Sequence, residues 1–262
     1  METRHPSPAA ATPNRAASAV HPARPASGNA PTTRGLIGHF ANFVAMGLSR
    51  MFLHIVVEGR ENIPAKPPYV LAANHETYID GMWLGAYLPK GHFRQFCSLA
   101  ASDLLTRHGL LGKLILLVGR GIRIDRYGNP IRGLILAKKE VEKGAILLVH
   151  PEGTRSEDGR LGEFKDGAAY VAYKAGVPMV PVFIDGGYEV FNRHMRNPKP
   201  FLPGTLHRKT IIITYGKPLL PADFIDPHAM TDALVVWMNR MFAAKRIPRV
   251  YSDTVSGGGA DR

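Results

Sequence analysis

The sequence predicts an α/β fold in which a single domain holds a mixed, mostly parallel sheet flanked by helices. Seven short apolar segments have the composition of strands, and segments with helical spacing of apolar residues lie between them. Alternation of this kind is typical of a sheet covered by helices. The hydrophobic share of 45% in 262 residues excludes a wholly disordered chain.

Each predicted strand is a run of mostly apolar or β-branched residues. The seven strands are expected at residues 55–57, 69–72, 95–97, 122–124, 146–149, 180–183 and 211–213. Pro178 and Pro181 accompany the sixth strand. Because proline cannot donate to a ladder, this strand is predicted to lie at a sheet edge or to shape the wall of a groove.

Helices are indicated by their end residues, since Asn-Pro and Asp-Pro open two of them and glycine follows two. The three predicted helices lie at residues 129–144, at 165–175, and from 226 onward. The last carries one apolar stripe that we interpret as core packing, made of Met230, Leu234, Trp237, Met238 and Met241.

The ends of the chain differ from its centre. Residues 1–34 are rich in Ala, Pro and Ser and contain four arginines but one acidic residue, Glu2. Such a segment buries too little apolar surface to offset the entropy of ordering, so a disordered basic tail is predicted, with an organelle transit peptide as the alternative. Residues 54–247 are expected to form the folded domain, and 248–262 a flexible tail.

Residues 35–53 are predicted to form an amphipathic, membrane-associating helix. Apolar residues recur there at helical spacing, and the segment has no acidic residue. A bilayer span needs about 20 mostly apolar residues, and this segment is short and interrupted by polar side chains. A helix lying in the membrane interface is therefore favoured. A true span and a helix that simply packs on the domain remain the alternatives.

The net charge of +12 favours partners that are acidic: nucleic acid, anionic lipid headgroups, or carriers such as CoA and acyl carrier protein. No zinc-finger, RNA-recognition or helix-turn-helix signature is present, so we expect no nucleic-acid partner. Cys97 is the single cysteine, which excludes an intramolecular disulfide and fits a reducing compartment. We interpret it as a buried small hydrophobe rather than a nucleophile.

Asn74, His75 and Asp80 come directly after the second predicted strand. A histidine with a carboxylate partner is a general base whose tautomer and orientation are fixed. Residues that share a helix face are three or four apart, so a spacing of five requires His75 in a loop and Asp80 in the first turn of the next helix. Residues 81–86 supply that helix. The alternative is a loop histidine with a solvated partner.

Two later motifs place cations at strand ends. Arg126 follows the strand at 122–124 and can hold a phosphate through its guanidinium fork. In the turn at residues 151–156, Arg155 and the hydroxyls of Thr154 and Ser156 can bind phosphate oxygens. Each motif alone is also compatible with an ordinary edge arginine or a surface turn.

The same turn contains Gly153, which allows close approach of the backbone to a ligand, and Glu152, which would orient Arg155 or bind a substrate hydroxyl. Lys165 lies near a predicted helix start, where its charge opposes the helix dipole. A lysine at such a position suggests a nearby anion.

Together these motifs resemble the glycerophospholipid acyltransferase family, of which lysophosphatidate acyltransferase is the type member. The first family motif, Asn-His followed by four residues and Asp, matches residues 74–80. The second ends in an apolar residue, Asp and Arg, as at 124–126. The third, Pro-Glu-Gly-Thr-Arg-Ser, matches 151–156 in full, and the Val-Pro-x-Val-Pro-Val strand matches 177–182. The resemblance covers about residues 57–219.

The resemblance implies transfer of a fatty acyl group from acyl-CoA or acyl carrier protein to the free hydroxyl of 1-acylglycerol 3-phosphate. His75 would take the hydroxyl proton and Asp80 would orient His75. Arg126, Glu152 and Arg155 would bind the glycerol phosphate. The product would be phosphatidic acid, and the reaction would need no metal or bound cofactor. The protein would act at the cytoplasmic face of a membrane, and a peripheral attachment is expected rather than a membrane span.

Three positions depart from the family pattern. Thr77 stands where the family usually has serine, Arg120 at a usual glycine, and Arg123 at a usual apolar residue. Gly119 and Gly121 are expected to supply the turn at Arg120. The extra arginines keep a phosphorylated acceptor plausible and leave another lysolipid, such as lyso-ornithine lipid, as the alternative acceptor.

Overall fold

The structure is a computed structural model that describes residues 34–101, 104–124 and 130–248. Its strands are β1 (His54–Glu58), β2 (Tyr69–Ala73), β3 (Phe96–Ala101), β4 (Ile122–Ile124), β5 (Ile146–Val149), β6 (Met179–Asp185) and β7 (Thr210–Tyr215). Its α-helices are α1 (Gly35–Phe52), α2 (Asp80–Ala86), α3 (Leu104–Gly119, with a non-helical break at Gly109), α4 (Pro130–Glu142), α5 (Gly167–Ala175), α6 (Gly187–Phe191) and α7 (Pro227–Ala243). The seven predicted strands are thus confirmed.

The strands form one sheet in the order β1-β7-β6-β2-β5-β3-β4. Every neighbouring pair is parallel except β6 and β7, which confirms the mixed, mostly parallel sheet. One end of the sheet therefore holds the carboxyl ends of β2, β5 and β6 together with the amino ends of β1 and β7. We call it the upper end. Sites in α/β sheets form where parallel strands end in this way.

Helices cover both faces of the sheet, so its central strands are apolar on both sides. In β2, Tyr69 and Leu71 face a core shared with α1 and α2, whereas Val70 and Ala72 face a second core shared with α4, α5 and α7. α3 packs beside α1, α2 and β3. This double burial explains why short continuous apolar runs were sufficient to predict the strands.

The prediction that β6 lies at a sheet edge is wrong. β6 pairs with β2 on one side and β7 on the other, and all seven of its residues are buried. Pro181 is tolerated because regular pairing with β7 begins only at Val182 with Tyr215, and Gly216 N donates to Pro181 O where the ladder is interrupted. The missing N–H of Pro181 falls at this irregular point.

The predicted helix ends are close to the observed ones. Asp226 caps α7 by accepting a hydrogen bond from Ala229 N at 2.8 Å, and the predicted stripe packs in the core with Met230, Leu234 and Met238 buried. α5 begins at Gly167 rather than at 165, because Lys165 N donates to Pro151 O in the preceding loop. Asn129 lies outside the described residues.

Arg120 itself makes the turn between α3 and β4, with φ at +46°. This left-handed conformation favours glycine, which is the residue that the family pattern has at this position. The expectation that Gly119 and Gly121 supply the turn is therefore wrong. The Arg120 side chain donates to Arg94 O at 2.9 Å.

α1 packs on the domain through its small and polar residues and exposes its apolar ones. Gly38, Met46 and Ser49 are buried, and Ser49 Oγ accepts a hydrogen bond from Trp83 Nε1 at 3.2 Å. The predicted apolar stripe faces outward, with exposed fractions of 75% at Phe43 and 69% at Phe40. Among the described residues, no helix has both the length and the apolar character that crossing a bilayer requires.

Arg34, which was placed in the tail, belongs to the folded domain. It is buried at the start of α1, where its guanidinium donates to Val118 O at 2.7 Å, to Phe96 O at 3.0 Å and to Phe93 O. Burial and the nearby charge of Arg120 lower the pKa of Arg34 to about 10. The remaining residues of the predicted tails, 1–33 and 249–262, lie outside the described residues.

We expect Arg34→Ala to lower the free energy of unfolding by about 3 kcal/mol, because three carbonyl groups lose a charged donor. Arg50→Ala is the matched control: Arg50 lies on the same helix but is exposed, and its loss should change stability by less than about 0.5 kcal/mol. Urea unfolding of the full chain measures both. Equal effects of the two substitutions would contradict a role for Arg34 in fixing α1.

Candidate active site

The site begins where β2 ends at the upper end of the sheet. The Asn74 amide fastens the following loop to β6: its Oδ1 accepts from Ile184 N at 2.7 Å and its Nδ2 donates to Ile184 O at 2.9 Å. Asn74 is buried, and its side-chain amide takes the place of a neighbouring strand by satisfying the N–H and C=O groups of Ile184 at the end of β6. The role of Asn74 is therefore to position its neighbour, His75.

His75 and Asp80 meet as the five-residue spacing requires. His75 lies in the loop after β2, and Asp80 is the first residue of α2. The His75 Nδ1 to Asp80 Oδ2 distance is 3.0 Å, with 17% of the His75 side chain exposed and none of Asp80. A carboxylate on Nδ1 keeps the proton there, so Nε2 carries the lone pair of the neutral ring.

The Asp80 carboxylate is held on all sides. Its Oδ2 also accepts from the N–H groups of Glu76 and Thr77 at 2.8 and 2.9 Å, and its Oδ1 from Thr77 Oγ1 at 2.7 Å. Burial alone would raise the pKa of Asp80, but its hydrogen bond to His75, the charge of that ring and the backbone hydrogen bond from Thr77 outweigh this and lower it. Thr77 thus provides a hydroxyl at the position where the family pattern has serine.

His150, which the sequence analysis did not select, stacks on His75. The ring centroids are 3.9 Å apart and the rings are inclined by 10°. His150 Nδ1 lies 3.0 Å from both Ala73 O and Asn74 O, which fixes its proton on Nδ1. Burial and the proximity of His75 lower the pKa of His150 to about 3. The available signal was its position at the end of the fifth strand, next to the 151–156 turn.

Stability should fall on acidification partly because of His150. Unfolded His150 takes up a proton near its ordinary pKa of 6.5, whereas the folded form does so only near 3. Between these values the unfolded state binds more protons, so the stabilisation present above pH 6.5 is lost as the pH falls through this window.

We therefore expect the melting temperature to drop between about pH 7 and about pH 5, and to drop less in His150→Phe, which keeps a stacking ring without the titration. Asp80 also loses stabilisation on acidification, but at lower pH, since its pKa is lowered from 3.8. Identical pH dependence in the wild type and the variant would contradict this assignment.

Glu152 secures the His75 loop from the opposite side. Its Oε1 accepts from His75 N at 2.9 Å and its Oε2 from Gly162 N at 2.8 Å. Ser156 N donates to His75 O at 2.8 Å, so both backbone groups of His75 are bound to the 151–162 loop. Glu152 is buried, and these contacts indicate a positioning role beside the predicted one.

Arg155 lies against Tyr78, with its guanidinium carbon 3.4 Å from the ring centroid. Burial lowers the pKa of Arg155. Its Nη1 is buried and has no hydrogen-bond partner within the part of the chain that the structure describes. A buried cationic donor with this unmet requirement is suited to an anionic ligand.

A cavity of about 630 Å³ opens beside His75 and His150. Gly153 has φ at +71°, and a Cβ there would lie 3.6 Å from Lys165 Nζ; both residues line the cavity. The rest of its lining is mainly apolar and includes Leu99, Ile124, Ile131, Leu134, Val149 and Tyr170. The structure thus joins His75, Gly153 and Lys165 in one cavity, whereas Thr154 is exposed and Arg126 lies outside the described residues.

Neither a metal bound at the site nor a nucleophilic role for Cys97 fits the structure well. Ligand atoms of His75, Asp80 and His150 lie within 4.8 Å of one another. However, Asp80 Oδ2 already accepts hydrogen bonds from His75, Glu76 and Thr77 and Oδ1 accepts one from Thr77, so a metal on this carboxylate would displace bonds that hold the loop. Cys97 is fully buried, and burial raises the pKa of its thiol to about 12, which opposes a nucleophilic role.

Known proteins are similar to this chain in sequence and in fold. A family model described as Acyltransferase matches residues 54–185. The chain is 34% identical over 131 residues to a chloroplastic 1-acyl-sn-glycerol-3-phosphate acyltransferase of Brassica napus, covering 50% of this chain and 37% of that protein. To the 1-acyl-sn-glycerol-3-phosphate acyltransferase of Saccharomyces cerevisiae it is 33% identical over 183 residues, covering 60% and 56%. To that of Pseudomonas aeruginosa it is 34% identical over 134 residues, covering 50% and 49%.

The chain therefore spans 37% to 56% of the length of these relatives. The crystal structure of the 1-acyl-sn-glycerophosphate acyltransferase of Thermotoga maritima superposes with a TM-score of 0.63, covering 82% of both chains at 22% identity. That likeness shows the same fold.

Proposed function

The chain belongs to the Acyltransferase family, and we propose that it transfers a fatty acyl group from a thioester to the free hydroxyl of 1-acylglycerol 3-phosphate, giving phosphatidic acid. The observation that carries the proposal is the His75–Asp80 pair beside an apolar cavity. The three relatives described above bear the name of this activity, which supports the choice of acceptor.

In the proposed reaction, His75 Nε2 accepts the proton of the acceptor hydroxyl as its oxygen attacks the thioester carbonyl. A carbon–oxygen bond forms, the carbon–sulfur bond breaks, and the proton passes from the imidazolium to the leaving thiolate. Asp80 stabilises the imidazolium through Nδ1. The reaction needs no nucleophile from the protein and no metal or bound cofactor. Acyl-CoA and acyl carrier protein are both candidate donors.

The side chains at the site indicate where each substrate group would bind. The apolar lining of the cavity suits a fatty acyl chain. Lys165, which lines the cavity, and Arg155, whose Nη1 atom is buried, are the proposed ligands of anionic substrate groups, and Gly153 would let a substrate approach the backbone closely. Arg126 and Thr154 remain proposed ligands. The outward apolar stripe of α1 supports peripheral association with the cytoplasmic face of a membrane, and no nucleic-acid partner is expected.

An acceptor comparison tests the proposal. The purified chain in detergent is supplied with radiolabelled acyl-CoA or acyl carrier protein and with lysophosphatidate or lyso-ornithine lipid. We expect phosphatidate to form with a higher kcat/KM than the acylated ornithine lipid. A preference for lyso-ornithine lipid, or no transfer to either, would reject the assigned acceptor.

Removal of the Arg155 charge should affect phosphorylated acceptors selectively. We expect Arg155→Gln to raise KM for lysophosphatidate about 10- to 100-fold, the equivalent of one charged hydrogen bond, and to change KM for an uncharged monoacylglycerol much less. Arg160→Gln, which removes an exposed arginine of the same loop, is the comparison variant. An equal loss for both acceptors would show that Arg155 supports the loop through Tyr78 rather than binding phosphate.

A further inference from the structure

A rigid hairpin at residues 199–209 connects α6 to β7. Phe201 and Arg208 form an antiparallel bridge, and Leu202 N donates to His207 O at 2.9 Å. Its tip is Pro203-Gly204, with Gly204 φ at +69° and a 3.1 Å hydrogen bond from Thr205 N to Leu202 O, which are the residues and the bond of a type II turn. The hairpin is therefore organised before it meets a partner.

Two leucines beside the turn are exposed, and Leu202 also lines a cavity with His194 and Ile247. Leu206 is 88% exposed and Leu202 47%. These leucines flank the tight turn, and Leu206 is the more exposed of the two. Two exposed leucines at one turn form a small apolar surface that suits shallow insertion into an apolar phase.

The surrounding sequence is basic. Residues 190–222 contain six Lys or Arg residues and no Asp or Glu. Arg196, Lys199 and Arg208 are exposed. An apolar tip surrounded by cations is the distribution expected of an element that enters an anionic lipid surface, because the tip reaches the acyl region while the cations remain at the phosphates.

The hairpin is also fixed to α1. Arg208 Nη1 donates to Arg50 O at 3.1 Å, the Phe52 and Phe201 rings meet edge to face at 6.1 Å, and His54 N donates to Lys209 O at 2.9 Å. The base of the hairpin thus lies at the junction of α1 with β1. This junction is at the upper end of the sheet, where His75 also lies.

We propose that the 199–209 hairpin is a second lipid-binding element, which inserts Leu202 and Leu206 into the interface of an anionic bilayer beside α1. Two linked attachment points fix the orientation of the domain, whereas one helix alone would leave it free to rotate. The upper end of the sheet then faces the lipid in which a lysolipid acceptor resides. The part of this inference that concerns the acceptor rests on the proposed function.

An acidic carrier protein could also be attracted by the cations. The lipid surface is favoured because the base of the hairpin adjoins the end of α1, whose outward apolar residues include Leu48 (49% exposed) and Met51 (56% exposed). A bilayer would bury the exposed leucines of the hairpin and those of α1 in one continuous apolar phase.

A single fluorescent label tests the insertion. The one native cysteine, Cys97, is buried, so Leu206→Cys can be labelled selectively with an environment-sensitive dye. Ile225→Cys is the matched control, since Ile225 is 87% exposed and follows β7 at the opposite end of the sheet. With vesicles of equal parts phosphatidylcholine and phosphatidylglycerol, we expect a blue shift and protection from iodide at position 206 and neither at 225.

Binding and activity complete the test. Leu206→Ser should weaken vesicle binding about tenfold, as expected for one leucine lost from an apolar phase, while Ile225→Ser should not. Turnover of a short-chain acceptor dissolved as monomers should remain unchanged in Leu206→Ser. A label at 206 that stays aqueous, whether the chain binds vesicles or not, would overturn the proposal, as would a response at 206 to acidic carrier protein alone. Insertion without acyl transfer would reject the proposed function and leave the hairpin assignment standing.

Discussion

His75→Ala is expected to lower kcat about 10³-fold, within the range that a positioned general base contributes. The loss should appear equally in kcat and kcat/KM, because the proton transfer stabilises the transition state and not the bound substrates. Steady-state assays with lysophosphatidate and saturating thioester measure both constants.

The fold should tolerate this change. The His75 backbone is held by Glu152 and Ser156, and those bonds do not need the imidazole. Circular dichroism of His75→Ala is therefore expected to resemble that of the wild type, with a melting temperature lowered by the loss of the hydrogen bond to buried Asp80. A well-folded variant with a wild-type rate would remove His75 from the mechanism.

Asp80→Asn should lower kcat by a similar factor of about 10³, because an amide cannot hold the Nδ1–H tautomer or stabilise the imidazolium as a carboxylate does. Asp80 also accepts three hydrogen bonds from Glu76 and Thr77. Asp80→Ala would leave these donors buried and unpaired, so it should additionally lower the free energy of unfolding by about 3 kcal/mol.

Asp185→Asn separates the two effects. Asp185 is also buried and accepts from the N–H groups of Arg246 and Ile247 at 2.7 and 3.1 Å, but it does not contact His75. This variant should lose stability and keep its kcat. If Asp80→Asn lost only stability and kept its kcat, the carboxylate would be a structural residue.

The sequence was most informative where a residue's environment follows from its neighbours in the chain. The strands β2 and β5 are buried on both faces, so each could be predicted from a short apolar run. The loop-to-helix placement of His75 and Asp80 followed from their spacing alone. The position of β6 in the sheet could not be predicted in this way. Pro181 fits there because the hydrogen-bond ladder between β6 and β7 is interrupted, and the residues of β7 that interrupt it lie far along the chain.

The features of the site that the sequence did not reveal depend on contacts between residues far apart in the chain. Asn74 bonds to Ile184, and the stacking of His150 on His75 joins residues that are 75 positions apart. No local pattern distinguishes such a histidine from one in an ordinary turn. Likewise, the contact of Arg155 with Tyr78 becomes visible only when the β2 and β5 loops meet at the upper end of the sheet.

Direct transfer to the acceptor hydroxyl, without an acyl-protein intermediate, is tested by incubating the full chain with thioester donor in the absence and presence of lysophosphatidate. Released thiol, phosphatidate and the mass of the intact protein are measured together. With donor alone, no thiol should be released and the protein mass should not change; with acceptor, thiol and phosphatidate should appear in equal amounts. A burst of thiol with donor alone, accompanied by an acylated chain, would contradict direct acyl transfer by the His75–Asp80 pair.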